Sequence, residues 1–415
     1  MAVQYERIKK TIAALAAYGT LPQGGTTRLS YTAEYLAAQA FLQREMLESG
    51  MLAEVDPIGN LIGTYVGRNP ELTAVMSGSH LDTVPAGGNF DGALGIVAAL
   101  ECVRSWQEEG YRPKRTVQVI ATIEEECTAF GMACFGVRVR GGEFKKQKPE
   151  SIVHLTGGSL AECLQAAGLP HSALQDAAVG FQDLAAFVEL HIEQGPVLER
   201  EQKQIGIVDS IVGIVNYELT IQGSQNHAGT TSMSLRHDPV VAAAEFITES
   251  TRQMMAQAPS ATLTYGAIQV FPGMQNVIAD RVNLLIDLRD GSDEELLQDV
   301  VLLKRVLESI ERKGFQTRLR QNDWLESVQM DPNVIRVIER HCEEKHLAYK
   351  HMNSGAGHDS MVFGKHFPTA MIFVPSIGGI SHNPAEATAV ADIQTGFELL
   401  CDVLKELSAQ TFLSW

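Results

Sequence analysis

Apolar residues fall at helical spacing over residues 5–18 and 32–49, and short, nearly continuous apolar runs at 61–66, 74–76 and 117–123 predict strands. Between the last two runs, residues 93–108 are rich in Ala, Leu and Val and predict a helix. Strand, helix and strand in that order, with strands nearly continuously apolar rather than alternating, predict an α/β core with a largely buried sheet. Functional loops are then expected where the strands end.

The rhythm changes in the middle of the chain. A strand over 214–221, a helix over 238–257, strands over 261–270 and 281–287, a helix over 293–312 and a strand over 315–319 give the order βαββαβ of a ferredoxin-like domain. The α/β patterning resumes with a helix over 333–345, a strand over 369–374 and a closing helix over 392–407, so the middle segment reads as an insertion. The expected architecture is α/β: a domain of residues 1–212 and 326–415 with a mixed, largely buried sheet flanked by helices, interrupted by an inserted ferredoxin-like domain of residues 213–325.

Composition narrows the classes of partner. With 415 residues, 45% of them hydrophobic and 20% charged, the chain is globular and long enough for two domains. A net charge of −17 argues against nucleic acid or an anionic membrane as partner, and an anionic ligand needs a local cationic pocket. The six cysteines are scattered without a CxxC pair, no apolar run reaches membrane length, and the start of the chain is polar. A cytoplasmic protein with reduced thiols is expected.

Five clusters of polar residues stand at or near the ends of apolar runs. Gly78-Ser79-His80-Leu81-Asp82 and Asn89-Phe90-Asp91-Gly92 follow the run at 72–76; Glu124-Glu125-Glu126 follows the run at 117–123. His191-Ile192-Glu193-Gln194-Gly195 follows 187–190, Ser354-Gly355-Ala356-Gly357-His358-Asp359 forms a glycine-rich loop, and Ser381-His382-Asn383-Pro384 follows 371–374. Singly, a histidine after a strand reads as a hydrogen-bonded loop residue and three glutamates as a solvated strand end. Together, imidazoles and carboxylates aimed at one sheet edge read as a divalent-metal site with a free glutamate to take a proton. The inserted domain adds Asn226-His227-Ala228-Gly229-Thr230, Gln275-Asn276-Val277 and Asp287-Leu288-Arg289-Asp290. The Arg289 guanidinium suits a substrate carboxylate through two parallel charge-assisted bonds, or else pairs with its flanking aspartates.

These motifs, from Gly24-Gly25-Thr26-Thr27-Arg28-Leu29 to Ser381-His382-Asn383-Pro384-Ala385-Glu386, resemble the M20-type dinuclear metallohydrolase family. Within it they are most similar to the branch of allantoate amidohydrolases, N-carbamoyl-L-amino-acid hydrolases and β-ureidopropionases. The resemblance implies two divalent metal ions per subunit, Zn or Mn, with Co or Ni also compatible. It places His80 and His191 on one ion, Glu126 and His382 on the other, Asp91 as the bridge and Glu125 as general base. Asp82 is expected behind His80, accepting from the imidazole and so fixing its tautomer.

The peptidase branches carry a carboxylate where this chain has His191, which favours the ureido-cleaving branch. The resemblance further implies that Asn276 and Arg289 bind substrate, that Gln194 and Gly357 complete the pocket with His358 as a further candidate, and that His227 reaches the scissile carbonyl from the partner subunit. A homodimer is thus expected, with the inserted domain as lid and dimerisation domain and a small anionic ureido compound as substrate. Gly355-Ala356-Gly357-His358-Asp359 and Pro375-Ser376-Ile377 look like allantoate amidohydrolases, whereas Ser232-Met233-Ser234-Leu235-Arg236-His237-Asp238-Pro239 looks like the carbamoyl-amino-acid hydrolases. Allantoate hydrolysis with release of ammonia and CO2, a step of purine catabolism, is the first expectation. N-carbamoyl-L-amino-acid or β-ureidopropionate hydrolysis is the alternative, and dipeptide or N-acyl-amino-acid cleavage a further one.

One departure stands out. The family reads Glu-Glu-Gly, then Ser, Thr or Ala, then Arg-Phe; this chain reads Glu125-Glu126-Cys127-Thr128-Ala129-Phe130. Period-2 alternation puts Glu124 and Glu126 on one face and Glu125 on the other if the strand continues, and Phe130 sets the register taken above.

Overall fold

A computed structural model describes residues 2–410. Strands are numbered in chain order: β1 (Leu52–Val55), β2 (Leu61–Tyr65), β3 (Ala74–His80), β4 (Val117–Thr122), β5 (Leu184–Ile192) and β6 (Ile205–Ile211) come first. β7 (Gly213–Gln222), β8 (Asn226–His227), β9 (Thr262–Phe271), β10 (Val277–Ile278), β11 (Arg281–Asp290) and β12 (Gln316–Leu325) follow, then β13 (Val328–Gln329), β14 (Tyr349–Ser354) and β15 (Thr369–Val374). The chain divides into two units, one made of Ser210–Val328 and one made of the segments on either side of it.

In the larger unit the strands form one sheet of order β1-β2-β4-β3-β5-β15-β6-β13, with β14 paired to β6. Strands β4, β3, β5 and β15 run parallel, and the flanking β2 and β6 run antiparallel to them. The apolar run at 74–76 extends, as β3, to His80 because Ser77 and Ser79 find partners inside the sheet. Ser77 Oγ donates to the Val188 carbonyl at 2.7 Å and Ser79 Oγ to Glu189 Oε1 at 2.7 Å, so every residue of β3 is buried without an unpaired hydroxyl at these positions. Gly78 sits at φ 146°, where a Cβ would stand 1.9 Å from the Ile120 carbonyl oxygen.

Helices Ala33–Glu48, Ala93–Glu108 and Val390–Ala409 join the sheet in one apolar core that includes Tyr35, Trp106 and Leu400. Each fully buried aliphatic or aromatic side chain there contributes about 1.5–3 kcal/mol. The parallel block delivers its carboxyl ends to one edge, with His80 opposite Thr122 and His191 opposite Phe373.

The unit Ser210–Val328 carries an antiparallel sheet of order β12-β7-β11-β9, the fourth, first, third and second of its long strands. Alternation on β11 buries Val282, Leu284, Ile286 and Leu288 in the core with residues of helices Pro239–Gln257 and Asp293–Glu311. Asn283, Leu285, Asp287 and Arg289 take the other face. The helices start on built caps: Asp238 accepts from Val240 N–H ahead of Pro239, and Ser292 accepts from Glu295 N–H. A separate two-residue ladder pairs β8 with β10.

Candidate metal centre

Loops leaving the parallel edge bring imidazoles and carboxylates onto one aspartate. His80, the last residue of β3, places Nε2 3.2 Å from Asp91 Oδ1, and His191 of β5 places Nε2 3.2 Å from the same oxygen. That oxygen is buried and has no hydrogen-bond partner. His382 Nε2 lies 3.3 Å from Asp91 Oδ2 and 3.4 Å from Glu126 Oε1. Asp91 therefore offers one oxygen to a His80–His191 pair and the other to a Glu126–His382 pair. Both groupings, and a third of His80, Glu125 and Glu126, have their donor atoms close enough to share one ion.

Hydrogen bonds at the far side of the His80 and His191 rings set their tautomers. His80 Nδ1 faces the Asp82 carbonyl at 2.9 Å and His191 Nδ1 the Ile192 carbonyl at 2.9 Å. A carbonyl only accepts, so Nδ1 carries the proton. Gly92 N–H then donates to His191 Nε2 at 3.2 Å, which a neutral ring alone permits. A Cβ on Gly92, at φ 64°, would meet the His80 carbonyl and ring within 2.6 Å, so the approach needs glycine.

Burial by itself would lower the His80 pKa, but Asp91, Glu125 and Glu126 outweigh it and raise it well above its ordinary value. Burial lowers His191 as well, but Asp91 and Glu189 outweigh it and raise it, while His382 is pushed up to about 10 by hydrogen bonds to Asp91 and Glu126. This charge calls for cations. His80 and His191, with protons held at Nδ1, can each turn an Nε2 lone pair to a metal, and the imidazole and carboxylate donors of each half of the cluster fit a divalent ion.

Asp82 does its work differently from expectation. Its main-chain carbonyl, not its carboxylate, holds His80, because the carboxylate is taken up by the next loop: Oδ1 accepts from Glu125 N–H at 3.2 Å and Oδ2 from Glu126 N–H at 3.1 Å. One residue thus ties the His80 loop to the glutamate loop.

The triple glutamate is separated by backbone geometry rather than by strand alternation. β4 stops at Thr122 and Glu124 turns to φ 58°. Glu124 points into its own turn, where Oε1 accepts from Ala129 N–H at 2.6 Å and Phe130 N–H at 2.9 Å. Glu125 keeps a buried carboxylate that accepts from the Cys134 thiol at 3.7 Å. Burial pushes its carboxyl well above the usual range, Glu126, Asp359 and Asp82 add to this and His80 opposes it. Buried within reach of His80 and Glu126, this side chain is placed to exchange a proton at the cluster. Cys127, where the resemblance leads one to expect glycine, holds φ 56°.

Gln194, at φ 58°, donates from Nε2 to Asp91 Oδ2 at 2.8 Å, so it reaches the cluster. His358 packs its ring 4.6 Å from that of His191 and bonds Ser354 Oγ at 3.0 Å. Gly357 precedes it in the loop, and the described contacts do not bring Gly357 to Asp91.

In the unit Ser210–Val328, two of the expected residues come together. His227 pairs with Val277 across the β8–β10 ladder, and Ala228 N–H donates to the Asn276 carbonyl at 3.0 Å. His227 Nδ1 accepts from Gly229 N–H at 3.0 Å and Thr230 N–H at 3.3 Å, which leaves the proton on Nε2 as an exposed donor. Arg289 stands apart from this pair. It lies near the end of β11, eight residues from Arg281 at the end that leads from the ladder, roughly 26 Å along an extended strand. Asp287 accepts from Arg289 Nε at 2.8 Å and from a terminal guanidinium nitrogen at 3.2 Å, and Asn216 Nδ2 donates to the same carboxylate at 3.0 Å.

Comparison with known proteins now adds a family. Residues 76–406 match peptidase family M20/M25/M40. The chain belongs to that family. An N-carbamoyl-L-amino-acid amidohydrolase of Paenarthrobacter aurescens is 37% identical over 97% of this chain and 98% of its own. The allantoate amidohydrolase of Escherichia coli K12 is 36% identical over 98% of each. A crystal structure of a hydantoinase/carbamoylase-family amidase from Burkholderia multivorans superposes with a TM-score of 0.88 at 32% identity, covering 98% of both chains.

M20 hydrolases are metal-dependent, in keeping with the donor set around Asp91. The sequence reading of this M20 chain missed two residues of the site. Glu386 accepts from the main chain of Phe90 and Asp91, and Ser381 touches both Asp91 and Glu386. Both lie in the His382 motif, but only their partners reveal a role. It also passed over Glu189, which accepts Ser79 and Ser360 hydroxyls beneath His191.

Proposed function

We propose that this chain is a metal-dependent amidohydrolase that cleaves the ureido C–N bond of a small anionic substrate, with allantoate as the preferred substrate. The observation that carries the reading is Asp91, whose two oxygens are divided between a His80–His191 pair and a Glu126–His382 pair beside the buried Glu125. The names of relatives at 36% and 37% identity support the ureido bond as target.

His80, His191 and Asp91 would hold one divalent ion, and Asp91, Glu126 and His382 a second; bound there, the ions acidify water and polarise the scissile carbonyl. Glu125 accepts a proton from the attacking water as oxygen adds to the ureido carbon, then delivers it to the leaving nitrogen as the C–N bond breaks. The carbamic acid so formed separates into ammonia and CO2. His227, protonated at Nε2, donates to the developing oxyanion from the partner subunit of a homodimer, accompanied by Asn276. Arg289 grips the substrate carboxylate, with Asp287 fixing the plane of the guanidinium. Gln194, bonded to Asp91, and His358, packed against His191, complete the metal centre.

N-carbamoyl-L-amino acids are the second reading, supported by the relative of that activity at 37% identity. Ammonia release from allantoate and from N-carbamoyl-L-amino acids, measured side by side on metal-reconstituted protein, separates the two. Activity on the carbamoyl amino acids alone removes allantoate, and cleavage of dipeptides without ureido activity removes the whole reading.

A further inference from the structure

The loops that supply Asp91 and His382 are far apart in the chain yet meet on one buried carboxylate. Glu386, 6% exposed, accepts at Oε1 from Phe90 N–H at 2.9 Å and Asp91 N–H at 3.1 Å, partners 296 and 295 residues away. Its Oε2 lies 3.0 Å from Ser381 Oγ, and the same hydroxyl lies 3.0 Å from Asp91 Oδ2. A hydroxyl has one proton, so Ser381 donates to one carboxylate at a time and can release Asp91 Oδ2 while staying bound to Glu386. Successive main-chain N–H groups turned toward one anion fix the peptide that carries Asp91, much as such nests fix bound anions. Gly88 completes the fit: a Cβ there would fall 2.1 Å from Glu386 Oε1.

We propose that Glu386 is a positioning residue of the metal centre. Its carboxylate locks the main chain of Asp91 and, through Ser381, the loop that carries His382, so that each oxygen of Asp91 stays between its own pair of donors. The inference rests on the metal reading given above and extends it to a residue that meets neither ion nor substrate.

Metal-free wild type, Glu386→Gln and Ser381→Ala are titrated with Mn2+ or Zn2+ against a competing chelator, and ammonia release is followed at each metal concentration. Loss of an outer hydrogen-bond partner weakens metal binding by about 10–100-fold. That loss is expected in Glu386→Gln for both ions, since both depend on Asp91, and is largest for the ion held with Glu126 and His382. Excess metal is expected to restore kcat while KM at saturating metal stays unchanged, which a general folding defect would not produce. Ser381→Ala should shift the same ion by less, and it alone decides if Glu386→Gln fails to fold. Wild-type affinities in both variants, or a kcat loss that excess metal leaves in place, would overturn the role of Glu386. A wild-type protein that binds no divalent ion removes the metal reading and this inference together.

Discussion

At the edge of the large sheet, His80, His191 and Asp91 are only 2%, 1% and 6% exposed, and the two imidazoles are pinned by main-chain carbonyls. On the inserted unit, His227 is exposed on a two-residue ladder and the Arg289 side chain is 31% exposed against Asp287. The buried set is organised before anything binds, because sheet register and loop hydrogen bonds leave the side chains no alternative. The exposed set is held by local contacts, His227 by the Gly229 and Thr230 N–H groups and Arg289 against Asp287 two residues before it. The proposed chemistry rests on the first region and the proposed recognition on the second.

The sharpest way to break that division is Glu125→Gln. The amide keeps the shape of the side chain and cannot accept the proton, so turnover should fall on the order of 10²–10⁴-fold while metal content is retained. Comparable turnover with metal bound would take the general base away from Glu125.

Arg289→Ala tests the recognition side. Losing a charge-assisted pair should raise KM for a carboxylate-bearing substrate by about 10–100-fold, with kcat changed little. An unchanged KM would leave Arg289 as a partner of Asp287 only.

Acidic groups sharpen the contrast between the units. Carboxylates of the metal centre face imidazoles, whereas Asp299 in the inserted unit is buried against Asp290, and burial followed by that contact raises its carboxyl from an ordinary 3.8 to about 7. Folded protein therefore holds a proton that the unfolded chain releases. The stability this group contributes is complete below about pH 4 and declines until about pH 7. Asp299→Asn should flatten that decline and raise the melting temperature at pH 8 by a few degrees. A melting profile with the wild-type slope would show that the shift does not couple to unfolding.

The smallest effect is expected at Cys127, which holds φ 56° in the turn after Glu126. Glycine takes that conformation without steric cost, so Cys127→Gly should stabilise the protein by about 0.5–1 kcal/mol in a denaturant titration. Destabilisation would mean that the thiol packs favourably enough to offset the strain.

The order of elements was legible because β4, β5 and β15 are built on nearly continuous apolar runs and the inserted helices carry clear periodicity. His80, Asp91, Glu126, His191 and His382 were legible as polar residues standing where apolar runs stop, and the family resemblance sorted them into two pairs. Edge strands were not: β1 has only four residues, all at least partly exposed, and β14 is mostly polar, so neither shows the pattern of a buried strand. The polar end of β3 was hidden for the opposite reason, since its serines are satisfied by β5 across the sheet. The roles of Glu124 and Asp82 depend on one left-handed residue and on main-chain donors, which composition and spacing do not encode. Glu386 was visible as a letter of a motif, but its link to Asp91 exists only in three dimensions.

The division of Asp91 between two donor pairs is tested most directly by counting metal in His382→Ala. Divalent metal bound per chain, measured after reconstitution and dialysis, is expected to fall from two equivalents in wild type to one in the variant, held by His80, His191 and Asp91. Two equivalents retained in His382→Ala, or fewer than two in wild type, would contradict a centre bridged by Asp91.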